Sequence, residues 1–183
     1  MKKIKTNGSW YQTIELLIKK SKINCNQSLA QITQQIKKYL QNQFIDMWKQ
    51  TLFDDKRSAN GNKLRNYRTY KNTFKREEYL DIKSVAVRGA LSRLRLSAHN
   101  LHIETGRYNC TSDRKPPEDR LCYYCTLNVC EDEYHFVMQC SLYDSIRADL
   151  FSYVSQQYNC FKYYNDQQKF IWLMANVDIH KLS

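Results

Sequence analysis

The sequence has few of the residues that interrupt helices. Its 183 residues include only 4 Gly and 2 Pro, whereas an all-β sandwich needs a turn about every 8–12 residues. No apolar run is long enough to cross a membrane, and no apolar segment follows Met1-Lys2-Lys3, so no secretory signal is visible. These absences predict a mostly α-helical, intracellular protein, either nuclear or cytoplasmic.

The chain also lacks the common catalytic signatures. It has no Ser/His/Asp set, no P-loop and no Gly-rich dinucleotide turn. His99 and His102 lie in a polar segment, and neither has an acidic partner at a fixed spacing. We therefore expect a protein that is not an enzyme.

Cysteine, in contrast, is plentiful, with seven residues. In a reducing compartment, clustered cysteines more often bind metal than form disulfides. The spacing Cys122-x2-Cys125-x9-His135-x4-Cys140 supplies three thiolates and an imidazole, which make a closed tetrahedral set for Zn²⁺. A closed set leaves no position for a reactive water, so it predicts a small CCHC zinc lobe with a folding role. The alternative is a group of ordinary buried thiols.

Other residues compete for roles at this site. Cys110, Cys130 and His102 could each replace a ligand. The acidic run Glu131-Asp132-Glu133 either accepts a hydrogen bond from the His135 ring or forms a solvated turn before it.

The formal net charge of +11 is unevenly distributed. Residues 1–55 carry a net +5, residues 56–120 a net +9 and residues 121–183 a net −3. A concentrated positive field favours a polyanion partner, most often RNA or DNA bound through its phosphates. The alternatives are a solubilising face and a basic surface that meets an acidic neighbour.

Seven basic side chains are the candidates for nucleic-acid contact. Helical spacing places Arg88 and Arg95 on one face, but this face could equally be solvated. The stretch 63–71 mixes basic and aromatic residues, which permits phosphate contact with base stacking, although the aromatics also have core spacing. The seven candidates are Arg65, Arg68, Lys71, Arg88, Arg93, Arg95 and Arg107.

Helical periodicity dominates the rest of the chain. Ser9, Ser28 with Gln31, and Ser84 are predicted N-caps. We expect helices over Trp10–Ile18, Leu29–Leu52, Leu64–Phe74 and Val87–Leu94, and again from about Tyr143 and over Phe170–Met174. Segment 97–120 is predicted to be a linker with a short extended piece at Leu101–Ile103. The predicted regions are 1–55 (N-terminal helices), 56–107 (basic helices), 108–142 (zinc lobe with linker) and 143–183 (truncated C-terminal helices).

Several separate motifs together resemble one family. They are Leu64-Arg65-x-Tyr67-Arg68 with Tyr70-Lys71, Arg88-x-Ala90-Leu91-Ser92-Arg93-Leu94-Arg95-Leu96-Ser97-x-His99-x-Leu101-x-Ile103-Glu104-x-Gly106-Arg107-Tyr108, Arg120-Leu121-Cys122-x2-Cys125, and Glu131-Asp132-Glu133-Tyr134-His135-Phe136-x3-Cys140. From about residue 10, their order and spacing are similar to the C-terminal region of invertebrate non-LTR (LINE-type) retrotransposon polyproteins. In these polyproteins a CCHC zinc element follows the reverse transcriptase domain.

The resemblance implies a noncatalytic nucleic-acid-binding appendage of a reverse transcriptase. It makes Cys122, Cys125, His135 and Cys140 the Zn²⁺ ligands and puts Arg88, Arg93, Arg95 and Arg107 at the family's basic positions. The chain has no reverse transcriptase Asp pair, no endonuclease portion and no end to the family's last helix, and Cys130 has no match in the pattern. We therefore expect a stand-alone remnant; the alternatives are a structural or protein-interaction module, in which zinc only clips helices together, and an inert mobile-element fossil.

Overall fold

The computed structural model of the chain describes residues 10–22, 26–55, 62–107 and 115–176. Of these residues 67% are helical and none lies in a strand, so the predicted mostly α-helical fold is confirmed. Ser9, Cys110 and most of the polar loop after Asp55 lie outside the described residues. No helix in the described ranges combines the length and the hydropathy that a bilayer crossing requires.

The chain divides into two units, Met1–Thr51 and Leu52–Ser183. The first contains α1 (Trp10–Ser21) and nearly all of α2 (Leu29–Phe53). The predicted cap at Ser28 is present, because Ser28 N donates to Gln31 Oε1 at 3.0 Å and Gln31 N donates to Ser28 Oγ at 3.4 Å. These two bonds satisfy backbone donors that would otherwise be unpaired at a helix start.

The second unit combines three longer helices with short helical pieces. Its helices are α3 (Tyr67–Tyr70), α4 (Val85–Arg95), α5 (His102–Thr105), α6 (Asp144–Gln157) and α7 (Asp166–Ala175). Within the described part of this unit they are connected by four 3₁₀ turns, at Glu78–Asp81, Pro117–Asp119, Ser141–Tyr143 and Asn159–Tyr163, and by one π-helical turn at His135–Gln139. The predicted cap at Ser84 is confirmed by a bond from Val87 N to Ser84 Oγ at 3.4 Å. The four-region division of the chain stays a prediction.

The apolar core of the second unit lies among α6, α7 and the π-helical turn. Its buried members are Met138, Val154, Phe161, Phe170, Leu173 and Met174. Met138 belongs to the same short turn as His135, and the Tyr134 ring packs edge-on against Phe170 at 5.3 Å. The turn that carries a predicted metal ligand is therefore anchored in the core.

The predicted linker at 97–120 is wrong for its first half. The extended piece expected at Leu101–Ile103 is instead the start of α5, and His102, Ile103, Glu104 and Arg107 are all buried. The polar composition misled the prediction because the buried polar side chains have partners: His102 Nδ1 lies 2.9 Å from Leu121 O, and Glu104 Oε1 accepts from Arg65 Nη1 at 2.7 Å. Polar residues that are hydrogen-bonded can be buried at little cost.

Candidate metal centre

The four predicted ligands converge. The Sγ atoms of Cys122, Cys125 and Cys140 and a ring nitrogen of His135 all lie within 4.8 Å of one another. Cys125 Sγ is 3.4 Å from His135 Nε2, and Cys122 Sγ is 3.9 Å from Cys140 Sγ. In a tetrahedral site with Zn–S of about 2.3 Å and Zn–N of about 2.0–2.1 Å, ligand atoms lie about 3.5–3.8 Å apart. The two shorter separations are close to these distances, so the four residues could hold a metal ion.

Local backbone structure positions each pair of ligands. Leu121 and Cys130 form an antiparallel bridge, and Cys122 N donates to Val129 O at 2.9 Å. Tyr124 N points at Cys122 Sγ at 3.4 Å. At the other pair, Cys140 N donates to His135 O at 2.8 Å. This bond spans five residues and closes the π-helical turn, so His135 and Cys140 face the same point.

Two of the three thiols and the imidazole are protected from solvent. Cys122, Cys140 and His135 are buried, and Cys125 is partly exposed. Burial raises the pKa of the Cys122 thiol to about 11. Since a metal ion binds the thiolate, metal binding at Cys122 must release a proton.

The acidic run beside His135 has a different role from either one predicted. The His135 Nδ1 atom is buried and accepts or donates no hydrogen bond within the described ranges, so the ring is not held by a carboxylate there. The run is not a solvated turn either, because Glu131 and Glu133 are buried. Asp132 Oδ1 accepts from His135 N at 2.8 Å. The side chains of Glu131 and Glu133 instead point towards residues that come earlier in the chain.

Glu133 is the centre of a buried network. It is 0% exposed and accepts from Arg65 Nη2 at 2.6 Å, Asn66 Nδ2 at 2.6 Å and Ser97 Oγ at 2.5 Å. His99 Nε2 lies 2.9 Å from Oε1, the same oxygen that accepts from Ser97, whereas Arg65 and Asn66 donate to Oε2. Burial alone would raise the pKa of Glu133, but the hydrogen bond from His99 and the charge of Arg65 lower it to about 2. Glu133 is therefore a fixed negative charge that holds the basic segment.

Glu104 forms a second buried centre beside it. Its Oε1 accepts from Arg65 Nη1 at 2.7 Å, and Arg107 Nε lies 2.9 Å from its Oε2. Lys63 Nζ lies 3.8 Å away from the same oxygen. Arg65 thus spans two carboxylates, and the planar guanidinium fork suits such a double contact.

The structure distributes the seven basic candidates over several environments. Arg65, Arg95 and Arg107 are engaged with buried or half-buried carboxylates, and Lys71 Nζ lies 2.5 Å from Glu77 Oε1. Arg95 also lies over the Tyr70 and Tyr79 rings at 4.8 and 4.7 Å.

The other three are less enclosed. Arg68 pairs with Asp55 at 2.7 Å, and Arg88 donates to Ile82 O at 2.7 Å. Arg93 is exposed, and its guanidinium forms no ion pair within the described ranges. Internal pairing gives the four enclosed residues, Arg65, Lys71, Arg95 and Arg107, a structural role. Contact with nucleic acid stays a prediction for all seven candidates.

The competing ligands are also placed. Among the described residues, Cys130 and His102 are not part of the four-ligand group. His102 Nδ1 lies 2.9 Å from Leu121 O and its Nε2 lies 3.3 Å from Tyr123 Oη, so it supports the loop between Cys122 and Cys125. Cys110 lies outside the described residues.

No protein-family model, curated protein or solved structure matches the chain.

Proposed function

We propose that the chain is a noncatalytic zinc-binding module that binds nucleic acid, of the kind that follows the reverse transcriptase domain in non-LTR retrotransposon polyproteins. The Cys122/Cys125/His135/Cys140 group, whose donor atoms lie within 4.8 Å of one another, carries the proposal. Three thiolates and an imidazole are a donor set that favours Zn²⁺.

The zinc has a structural role in this proposal. Four protein ligands fill a tetrahedral shell, so substrate and water have no coordination position. The two ends of the ligand set lie in different parts of the unit, one in the bridged loop 121–130 and the other in the turn that supplies Met138 to the core. Zinc would join these parts and contribute directly to folding free energy.

The nucleic-acid part of the proposal is supported by the net charge of +11 and by the family resemblance. Phosphate contacts require cations that solvent can reach, and Arg93 on α4 is the best placed of the seven candidates because it is exposed and stands at a basic position of the family. Contacts with the phosphate backbone of a nucleic acid carry little sequence preference.

The experiment is a salt series with the zinc-loaded chain and a fluorescein-labelled 12-nucleotide single strand. We expect the affinity to fall steeply with salt, since each neutralised phosphate releases a counterion. Arg93→Glu should lower the affinity, and Lys162→Glu, at an exposed lysine of the Asn159–Tyr163 turn, is the control with the same charge change. Affinity that does not respond to salt would contradict phosphate binding.

A second candidate function is a structural or protein-interaction module. The described residues of the Leu52–Ser183 unit carry 16 Lys/Arg against 14 Asp/Glu, so most of its positive charge is balanced within the unit. The buried pairs of Glu77, Glu104 and Glu133 account for much of this balance. A chain that binds zinc and unfolds cooperatively, but binds no strand at low salt, would favour this second function.

A further inference from the structure

The loop between the first two metal ligands exposes aromatic side chains. Tyr123 and Tyr124 stand between Cys122 and Cys125, and they are 70% and 63% exposed. Leu127 and Val129, which follow Cys125 within the bridged loop 121–130, are also exposed. Large apolar groups that stay in water next to one another mark a surface that meets a partner.

This loop is constrained, which makes its tyrosines a preorganised surface. Cys122 N donates to Val129 O, and Tyr124 N points at the Cys122 sulfur. The Tyr123 ring lies against the buried His102 ring, with centroids 4.7 Å apart and planes inclined by 36°. A rigid aromatic loses little conformational entropy when a partner packs on it.

The electrostatics of the loop suit a negatively charged partner. No Asp or Glu occurs between Arg120 and Cys130. The acidic residues that follow are turned inward: Glu131 Oε2 accepts from His102 N at 2.8 Å, and Glu133 is held by Arg65. At the surface, Lys115 Nζ lies 3.5 Å from Tyr123 Oη and places a positive charge beside the loop. The exposed carboxylates that are nearest to the loop in sequence are Glu118 and Asp119, which precede it.

We propose that Tyr123 and Tyr124 form a stacking platform for unpaired bases of a single-stranded nucleic acid, with Lys115 beside an adjacent phosphate. The inference rests on the proposed nucleic-acid function and adds its contact surface and its substrate class. Stacking on an aromatic ring needs a base that is free of its partner strand, and it tolerates any sequence because every base has a flat face.

The test compares three 12-nucleotide probes: a thymidine strand, an abasic strand with the same phosphates, and a duplex. The variants are Tyr123→Ser/Tyr124→Ser, Tyr123→Phe/Tyr124→Phe, and Tyr163→Ser as a matched control, since Tyr163 is 78% exposed on another turn. Zinc content and thermal unfolding of every variant are measured first, so that each comparison uses folded, metal-loaded protein.

We expect the double serine variant to lose about tenfold or more in affinity for the thymidine strand. Its affinity for the abasic strand and its salt dependence should not change, and the phenylalanine variant and Tyr163→Ser should bind like the wild type. Equal wild-type affinity for thymidine and abasic strands would overturn the platform while leaving phosphate binding intact. Failure to bind any probe at low salt would overturn both proposals and favour a protein partner for the loop.

Discussion

Cys125 and Cys130 lie on the same loop and carry the same thiol, but only Cys125 joins the four-ligand group. The bridge between Leu121 and Cys130 fixes the base of the loop, and burial raises the pKa of the Cys130 thiol to about 11. Because burial raises the pKa of Cys122 to the same value, position and not acidity separates the two residues: Cys125 Sγ lies 3.4 Å from His135 Nε2, whereas Cys130 stands outside the group.

Replacing these two cysteines in turn separates a metal ligand from a neighbouring thiol. Cys125→Ser should lower zinc affinity by more than about 100-fold, because removing even an indirect supporting partner costs about 10–100-fold. Cys130→Ser should keep one zinc per chain. The measurement is metal content after dialysis, together with the thiolate-to-metal absorption of the Co²⁺ form. Loss of metal in Cys130→Ser with retention in Cys125→Ser would reverse the assignment.

Two glycines give an equally sharp comparison. A Cβ at Gly106 would lie 2.8 Å from Cδ and 2.9 Å from Cγ of Arg120, whereas a Cβ at Gly89 meets nothing within 4 Å. Arg120 cannot easily move away, because it is fully buried and its Nη1 donates to Ile103 O at 2.7 Å. The absence of a Cβ at Gly106 thus leaves room for the arginine.

Gly106→Ala should therefore lower the free energy of unfolding by about 1–3 kcal/mol through overpacking. Gly89→Ala, in the interior of α4, should leave it unchanged or raise it by up to about 1 kcal/mol through helix propensity. Urea unfolding of both variants measures the difference. Equal stability of the two variants would show that Arg120 relaxes without cost.

At the scale of elements, Glu77 ties α3 and α4 together. Its Oε1 accepts from Tyr67 Oη at 2.7 Å and lies 2.5 Å from Lys71 Nζ, and its Oε2 accepts from Arg95 Nη2 at 3.0 Å. Burial raises the pKa of Glu77, but the hydrogen bonds from Lys71 and Tyr67 outweigh it, so the pKa lies below the ordinary value of 4.5. The carboxylate is thus more stable in the folded chain than in the unfolded one.

This depressed pKa fixes the sign of a pH effect. The stabilisation by Glu77 is complete above its unfolded pKa and is lost as the pH falls through its folded pKa. Glu77→Gln should therefore be less stable than the wild type at pH 7, and the gap should narrow below about pH 5. Glu78→Gln, at a mostly exposed neighbour, should show no such gap. Unfolding curves measured across this pH range test the prediction. A difference in unfolding free energy between Glu77→Gln and the wild type that stays constant with pH would contradict the argument.

Sequence periodicity could predict the longer helices and the ligand set because both depend on local spacing, but it missed α5 and predicted a helix over Leu64–Phe74 where only Tyr67–Tyr70 is helical. The caps at Ser28 and Ser84 and the turn from His135 to Cys140 each involve residues three to five positions apart. The partners of the basic side chains depend instead on contacts between residues far apart in the sequence. Arg65, for example, hydrogen-bonds to Glu104 and Glu133, which are 39 and 68 residues away. The one available signal was the opposite net charge of segments 56–120 and 121–183.

For the Leu52–Ser183 unit, that charge asymmetry indicates how its parts cohere. The segment with the net positive charge supplies Arg65, and the segment with the net negative charge supplies Glu133, directly before the metal ligand His135. The apolar core lies on the other side of the same turn, through Met138. The metal group, the buried network and the core are therefore connected through residues 131–140.

This connection predicts that Arg65 and Glu133 act as one unit. Glu133→Gln or Arg65→Met alone should lower the free energy of unfolding by about 3–5 kcal/mol, because each removes one charge from a mostly buried ion pair and leaves the other charge with fewer partners. The double variant should cost clearly less than the two single changes together. Double-mutant-cycle unfolding of the zinc-loaded chain measures the coupling, with Arg68 and Asp55, an exposed pair at 2.7 Å, as the control cycle. Additive losses at Arg65 and Glu133 would mean that the two segments are held together by other contacts, and near-zero coupling is expected only for the control pair.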